Sequence, residues 1–139
     1  MKYYFEDVGL RNARLDFRQT EENHLMENVI YNELRYRGFS VDVGVVPVRL
    51  KGAGGKQQRA SLEIDFIATL GSRKYYIQSA FSVPDEEKEH QEMEPLLRVD
   101  DSFKKIVVKK EVMHVMRNEQ GITSMGLFDF LLKENSLEL

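Results

Sequence analysis

Residues 61–81 read SLEIDFIATLGSRKYYIQSAF, and this stretch decides the fold. It contains two runs with the residue preferences of strands, Ser61–Leu70 and Arg73–Phe81, separated only by Gly71 and Ser72. A glycine and a serine between two such runs predict a two-residue β-hairpin turn, because glycine adopts a positive φ at little cost. The stretch therefore predicts an antiparallel pair of strands whose register is set by the turn.

Counting outward from this turn places Asp65 opposite Gln78 and Glu63 opposite Ala80. Because side chains alternate across a strand, these four residues are predicted to share one face of the hairpin. The other face is predicted to carry four apolar residues, Leu62, Ile64, Phe66 and Ala68.

The predicted patch of Asp65, Glu63 and Gln78 holds two carboxylates and one carboxamide. Oxygen ligands of this kind suit Mg²⁺ or Mn²⁺, which often take one or two protein carboxylates and keep several waters. A simpler alternative is that Glu63 and Asp65 lie on the solvent face of a half-buried strand, and spacing alone favours this alternative. Both interpretations remain open at the level of the hairpin.

A helix over residues 21–37 is predicted by apolar residues at three- and four-residue spacing, with Gly38 as its stop: Leu25, Met26, Val29, Ile30 and Leu34. On a helical wheel Glu33 falls inside this apolar arc and Glu27 at its edge. One of these two carboxylates is therefore expected to be buried or to face a site.

The rest of the chain predicts a single α/β domain with an entry segment over 1–18, a core over 21–109 and a C-terminal extension over 110–139. Pro47 in the strand 39–50 favours an edge position or a bulge. The other predicted elements are a strand at Lys2–Phe5, a helical turn at Asp7–Ala13, a glycine-containing loop over 51–60, a helix over 85–97, a strand over 104–109, a short strand over 122–125 and a helix over 127–133.

The composition excludes several classes of protein. The chain has 139 residues, no cysteine and a formal net charge of -3, so thiol catalysis, disulfides and zinc–thiolate sites are excluded. Neither a secretory signal nor an apolar run of membrane-spanning length is visible, which favours a cytoplasmic location. The basic residues Arg11, Arg14, Arg18, Arg49, Lys51, Lys56 and Arg59 form at most a modest phosphate-facing surface.

Three groups of residues carry a resemblance to the PD-(D/E)XK nuclease superfamily, near the archaeal Holliday-junction resolvases: Glu27, then Glu63–Phe66, then Tyr76–Ala80. The chain also resembles the uncharacterised domain that follows an AAA-type ATPase domain in many bacterial and archaeal proteins. That second resemblance is carried by Tyr4–Asn12, Glu27–Leu34, Gly121–Ile122 and Asp129–Leu132. Together they imply a restriction-endonuclease-like core of helix, three-stranded antiparallel meander, helix and strand.

The resemblance also implies roles for individual residues. Glu27 would approach the site from the helix, Asp65 would be the main metal ligand, and Gln78 would occupy the second acidic position. The lysine position is Ala80, which can neither orient a water nor stabilise developing charge. Lys74 lies six residues along the strand, about 20 Å away at strand rise. Lys88 remains a candidate replacement.

The sequence thus predicts a degenerate catalytic site of Glu27, Asp65 and Gln78. The expected function is that of a non-catalytic interaction or regulatory domain, detached from a larger AAA-type ATPase, with nucleic acid as a candidate contact. Its expected partners are the ATPase domain of the parent chain, nucleic acid or a second copy of the chain. The alternative is an active Mg²⁺-dependent DNA endonuclease with a relocated lysine.

Overall fold

The computed structural model describes residues 18–51, 57–80, 93–111 and 114–139. Its first element is helix α1 (Arg18–Tyr36), which buries Met26, Ile30 and Leu34 at helical spacing against the sheet. The helix ends where Gly38 adopts a φ of 95°. The N–H of Gly38 then donates to Arg35 O and that of Phe39 to Leu34 O, each at 3.0 Å, which is the Schellman arrangement.

A six-stranded sheet in the order β1-β2-β3-β4-β6-β5 forms the centre of the described structure. Its strands are β1 (Ser40–Lys51), β2 (Gln57–Leu70), β3 (Arg73–Ala80), β4 (Lys104–Lys109), β5 (Met116–Arg117) and β6 (Ile122–Gly126). The first three strands form an antiparallel meander, β4 runs parallel to both β3 and β6, and β5 is antiparallel to β6. The prediction of an edge position for the strand that contains Pro47 is confirmed, because β1 lies at one edge.

Apolar side chains cover both faces of this sheet. On the face against α1, which we call the α1 face, the core includes Phe66, Ile77, Ile106, Met125 and Phe130. Helix α2 (Leu127–Leu132) and a 3-10 helix (Ser136–Glu138) pack on this side through Phe130 and Leu137. The opposite face buries Ile64, Tyr76, Ala80, Leu96, Val107 and Ile122, with Leu96 supplied by the helical residues 93–97. The predicted α/β class is confirmed.

Residues 110–139, predicted to be a C-terminal extension of the core, contribute to the sheet and to the apolar core. Strand β6 pairs with β4 inside the sheet, and Met125, Phe130 and Leu137 complete the apolar core on the α1 face. The short strand β5 and the 3-10 helix had no prediction. The apolar pattern of residues 122–126 is too short to reveal a central strand, because only pairing with β4 buries it on both faces.

Other predictions can be compared only in part. The predicted loop over 51–60 overlaps the end of β1 at Lys51 and the start of β2 at Gln57, and its residues 52–56 lie outside the described residues. The predicted strand Lys2–Phe5 and turn Asp7–Ala13 lie outside the described residues, as do residues 85–92 of the predicted second helix. Residues 93–97 of that helix are helical. Among the described residues, no helix is long and apolar enough to span a membrane.

The C-terminal segment is held to the core by polar contacts around Arg37. Its guanidinium donates to Ser136 Oγ at 2.7 Å, to Phe130 O at 2.6 Å and to Lys133 O at 3.1 Å, and its Nε donates to Glu33 Oε1 at 3.0 Å. The guanidinium carbon also lies 5.3 Å from the centroid of the Phe130 ring. One side chain at the end of α1 thus joins α1 to α2 and to the 3-10 helix.

A second attachment of this segment involves Tyr75, whose hydroxyl donates to a carboxylate oxygen of Glu138. Burial raises the pKa of Tyr75, and the hydrogen bond to Glu138 raises it further. Lys104 Nζ donates to Leu139 O, and burial lowers the pKa of this lysine. Because its pKa is raised, the Tyr75 hydroxyl remains protonated at neutral pH and can donate to Glu138.

Candidate degenerate nuclease site

A β-bulge in β2 lies at the centre of the predicted site. On β1, Asp42 pairs with Ile67 and Gly44 pairs with Ile64. An advance of two residues along β1 therefore corresponds to three residues along β2, which has one extra residue. As a result Phe66 packs on the α1 face whereas Ile64 packs on the opposite face. The prediction that Ile64 and Phe66 share a face is therefore wrong.

Gly44 is required by the close approach of β1 to this bulge. A Cβ atom at this position would lie 2.8 Å from Ile67 Cδ1 and 3.1 Å from Ile64 Cβ. No larger residue fits without moving the buried Ile64 or the partly buried Ile67 of β2. The register shift thus coincides with a close approach of β1, which lies outside the hairpin sequence.

The hairpin register agrees with the count from the turn as far as Phe66, which pairs with Ile77. At the bulge, side-chain oxygen atoms accept hydrogen bonds from backbone N–H groups. The backbone N–H of Asp65 donates to Gln78 Oε1 at 2.7 Å, and the N–H of Ser79 donates to Asp65 Oδ2 at 2.9 Å. The structure therefore brings Asp65 and Gln78 together, and both stabilise the backbone at the bulge.

Two of the other predicted site residues do not share the face of Gln78. Gln78 is buried and alternates with Tyr76 and Ala80, which lie on the face opposite α1. Glu27 belongs to α1, on the other side of the sheet. Glu63 is exposed and follows the alternation of Ile64, so it faces the α1 side. The prediction of one common face for Glu63, Asp65, Gln78 and Ala80 is corrected by the bulge.

Ala80, the position at which the resemblance implies a lysine, lies in an apolar environment. Ala80 is 2% exposed and packs in the cluster with Leu96, Ile64 and Ile122. Lys74 lies near the turn end of β3, where its Nζ is 5.2 Å from the centroid of the Tyr76 ring. Lys88, the other candidate, lies outside the described residues. A small core side chain thus occupies the position for which the resemblance implies a lysine.

The oxygen atoms gathered here do not fit a Mg²⁺ site. Of the three predicted ligands, Glu63 points to the other face, while Asp65 Oδ2 and Gln78 Oε1 each accept a backbone hydrogen bond. In the described ranges, no group of three or more His, Cys, Asp or Glu side chains is arranged to hold a metal ion. We therefore derive no metal-dependent step from this geometry.

The structure also shows a polar cluster that sequence reasoning missed. Parallel pairing of β3 with β4 places Tyr76 beside Lys105, and the Tyr76 hydroxyl donates to Asp101. Phe103 lies against Lys74 in the same cluster. In the sequence, the spacing of Lys74 and Tyr76 indicates only that they share a face of β3. Their partners from residues 101–105 become neighbours when β3 pairs with β4.

Substitution of Asp65 tests whether its role is structural. Asp65→Ala is expected to lower the free energy of unfolding by about 1–3 kcal/mol, because it leaves the Ser79 N–H without its acceptor. Asp65→Asn keeps an acceptor oxygen and is expected to cost less than about 1 kcal/mol. Urea unfolding measures both, with Asp42→Ala on the exposed edge strand as the matched control. Equal stability of Asp65→Ala and Asp42→Ala would contradict the structural role.

Comparison with known proteins adds one relative. An uncharacterized protein of Haemophilus influenzae is 33% identical to this chain over 132 residues, which is 95% of this chain and 29% of the relative. The chain therefore spans less than a third of the length of this curated relative. No protein-family profile and no solved structure matches the chain.

Proposed function

We propose that this chain is a non-catalytic domain with a PD-(D/E)XK-like core, which serves as an interaction or regulatory module of a larger protein that contains an AAA-type ATPase domain. The observation that supports this proposal most strongly is the burial of Ala80, at 2% exposure, in the apolar cluster opposite α1. A catalytic lysine must reach solvent and substrate. This position does neither.

The order of the elements supports the nuclease-like core. Helix α1, the antiparallel meander β1–β3, the helical residues 93–97 and the parallel strand β4 follow in the order that the resemblance implies. The relative in Haemophilus influenzae supports the link to a larger protein, because the matching region is only 29% of its length. The fold alone does not identify an activity, so the proposal rests on the state of the site.

A second candidate function is an active Mg²⁺-dependent DNA endonuclease with a lysine supplied from elsewhere. The observation in its favour is the contact between Asp65 and Gln78, the residues at the two adjacent acidic positions of the motif. Against it, Gln78 brings no negative charge, and its oxygen accepts the Asp65 backbone N–H. We therefore rank it second.

Incubation of the purified chain with branched and single-stranded DNA, in the presence of Mg²⁺ or Mn²⁺, tests the proposal. We expect no cleavage above the rate in buffer, and the same result for Asp65→Ala. Circular dichroism verifies that both proteins are folded, and a restriction endonuclease serves as the positive control. Cleavage by the wild-type chain that Asp65→Ala abolishes would establish the endonuclease and overturn the non-catalytic assignment.

A further inference from the structure

Two lysines and two aromatic rings form a cluster at the turn end of β3, which we call the Lys74–Phe103 cluster. Lys74 Nζ lies 5.2 Å from the centroid of the Tyr76 ring and 5.4 Å from that of Phe103. Lys105 Nζ lies 5.8 Å from the centroid of the Tyr76 ring. These distances are within the range of cation–π attraction. The cluster lies on the sheet face opposite α1.

Several hydrogen bonds to Asp101 stabilise the turn that carries Phe103. The Asp101 carboxylate accepts from the Tyr76 hydroxyl and, at 3.0 Å, from the Phe103 N–H. Lys105 Nζ donates to Asp101 O at 2.9 Å and to Phe103 O at 3.2 Å. These contacts fix the backbone at Phe103, whose side chain is 40% exposed. A backbone fixed in this way loses little conformational entropy when a ligand binds.

Basic side chains outnumber acidic ones around this cluster although the chain as a whole carries a net charge of -3. Residues 71–74 and 98–105 contain five basic side chains (Arg73, Lys74, Arg98, Lys104 and Lys105) and two acidic ones (Asp100 and Asp101). Glu94 and Glu138, which interact with Arg98 and Lys104, bring the acidic side chains to four, which gives 5 - 4 = +1.

The carboxylates near Lys74 interact with other residues. Asp101 turns inward to Tyr76 and Phe103, and Glu94 pairs with Arg98. Glu138 interacts with Lys104 on the α1 face. Within the described ranges Lys74 makes no ion pair. Its ammonium is thus the cation of this cluster that is available to an anionic ligand.

We propose that the Lys74–Phe103 cluster is a contact site for single-stranded nucleic acid, in which a base stacks on Phe103 and a phosphate meets Lys74. Exposed aromatic rings beside basic groups are the usual means of binding unpaired strands. The site rests on the proposed function and deepens it, since it names single-stranded nucleic acid as a partner of the interaction module. It lies four residues from Gln78 along β3, about 13 Å at strand rise, and is separate from the degenerate motif.

Fluorescence anisotropy with a labelled oligothymidine strand tests this site in the full chain. Phe103→Ala is expected to weaken binding by about fivefold to 100-fold, because it removes one stacking platform. Lys74→Gln is expected to reduce the slope of log affinity against log salt by about 0.7, the value for one phosphate contact on a single strand. Phe103→Tyr keeps the ring and should bind like the wild type.

Lys133→Gln is the matched control, because this exposed lysine lies on the other face and pairs with Asp129. Its salt slope should equal that of the wild type. Wild-type affinity in both Phe103→Ala and Lys74→Gln would overturn the site, as would binding to phosphatidylserine vesicles without binding to the strand. Cleavage of the strand on a gel would overturn the non-catalytic function instead, so the two failures are distinguishable.

Discussion

Replacement of Arg37 by methionine is expected to lower the free energy of unfolding by about 3–5 kcal/mol and to release the C-terminal segment 133–139 from the core. Arg37 is only 13% exposed and donates four hydrogen bonds, one to Glu33 within α1 and three to the segment that contains α2 and the 3-10 helix. Methionine fills a similar volume but donates none of them. The Glu33 carboxylate and the Lys133 carbonyl would then each lose a donor.

Urea unfolding measures the loss of stability, and amide hydrogen exchange over residues 133–139 measures the release. The matched control is Arg35→Met, two residues away on an exposed side chain whose hydrogen bond to Phe39 O is 3.4 Å long. We expect that control to cost less than about 0.5 kcal/mol. Arg37→Lys should recover only part of the stability, because an ammonium cannot reproduce the planar set of donors. If Arg37→Met and Arg35→Met unfold at the same urea concentration, the hydrogen bonds of Arg37 do not stabilise the protein.

Ala80→Lys introduces the residue type that the resemblance to PD-(D/E)XK nucleases implies, yet it is expected to destabilise the protein by at least about 3 kcal/mol and to produce no cleavage. Ala80 is 2% exposed among Ile64, Tyr76 and Leu96, where an ammonium has no water. Full burial lowers the pKa of a lysine by up to about 3–5 units, and each unit corresponds to about 1.4 kcal/mol. The added methylene groups cost about 1–3 kcal/mol more through overpacking.

Two controls separate charge from volume. Ala80→Met has a similar volume without charge and should show only the overpacking cost. Ser61→Lys places a lysine on an exposed position of β2 and should be nearly neutral. The part of the loss due to charge is fully present below the lowered folded-state pKa and disappears as the pH rises through about 10.4, the unfolded value. An Ala80→Lys protein that is as stable as Ala80→Met and cleaves DNA would refute the burial argument.

Local rules predicted several parts of the fold well. The Gly71–Ser72 turn correctly set the hairpin register as far as Phe66 and Ile77, because a two-residue turn leaves the strands little choice of pairing. Gly38 correctly marked the helix end, since only a residue that tolerates a positive φ completes the Schellman arrangement. These elements depend on residues that are neighbours in sequence.

The predictions about the faces of β2 failed two residues beyond the last correct pair. Alternation placed Ile64 with Phe66, but the bulge separates them, and its register depends on the pairing of β1 near Gly44. A count within the hairpin contains no information about β1. The neighbours Asp65 and Gln78 were predicted, whereas the hydrogen bonds they make to the backbone were not.

The sequence by itself determined where the first helix, the hairpin and the strand Lys104–Lys109 lie, because caps, turns and apolar periodicity act over a few residues. Only the tertiary structure decided that β6 enters the sheet, that Ala80 is a core residue and that Lys74 meets Phe103. These contacts join segments far apart in the chain. These long-range contacts depend on which apolar faces bury one another, and this is decided only when the whole sheet packs.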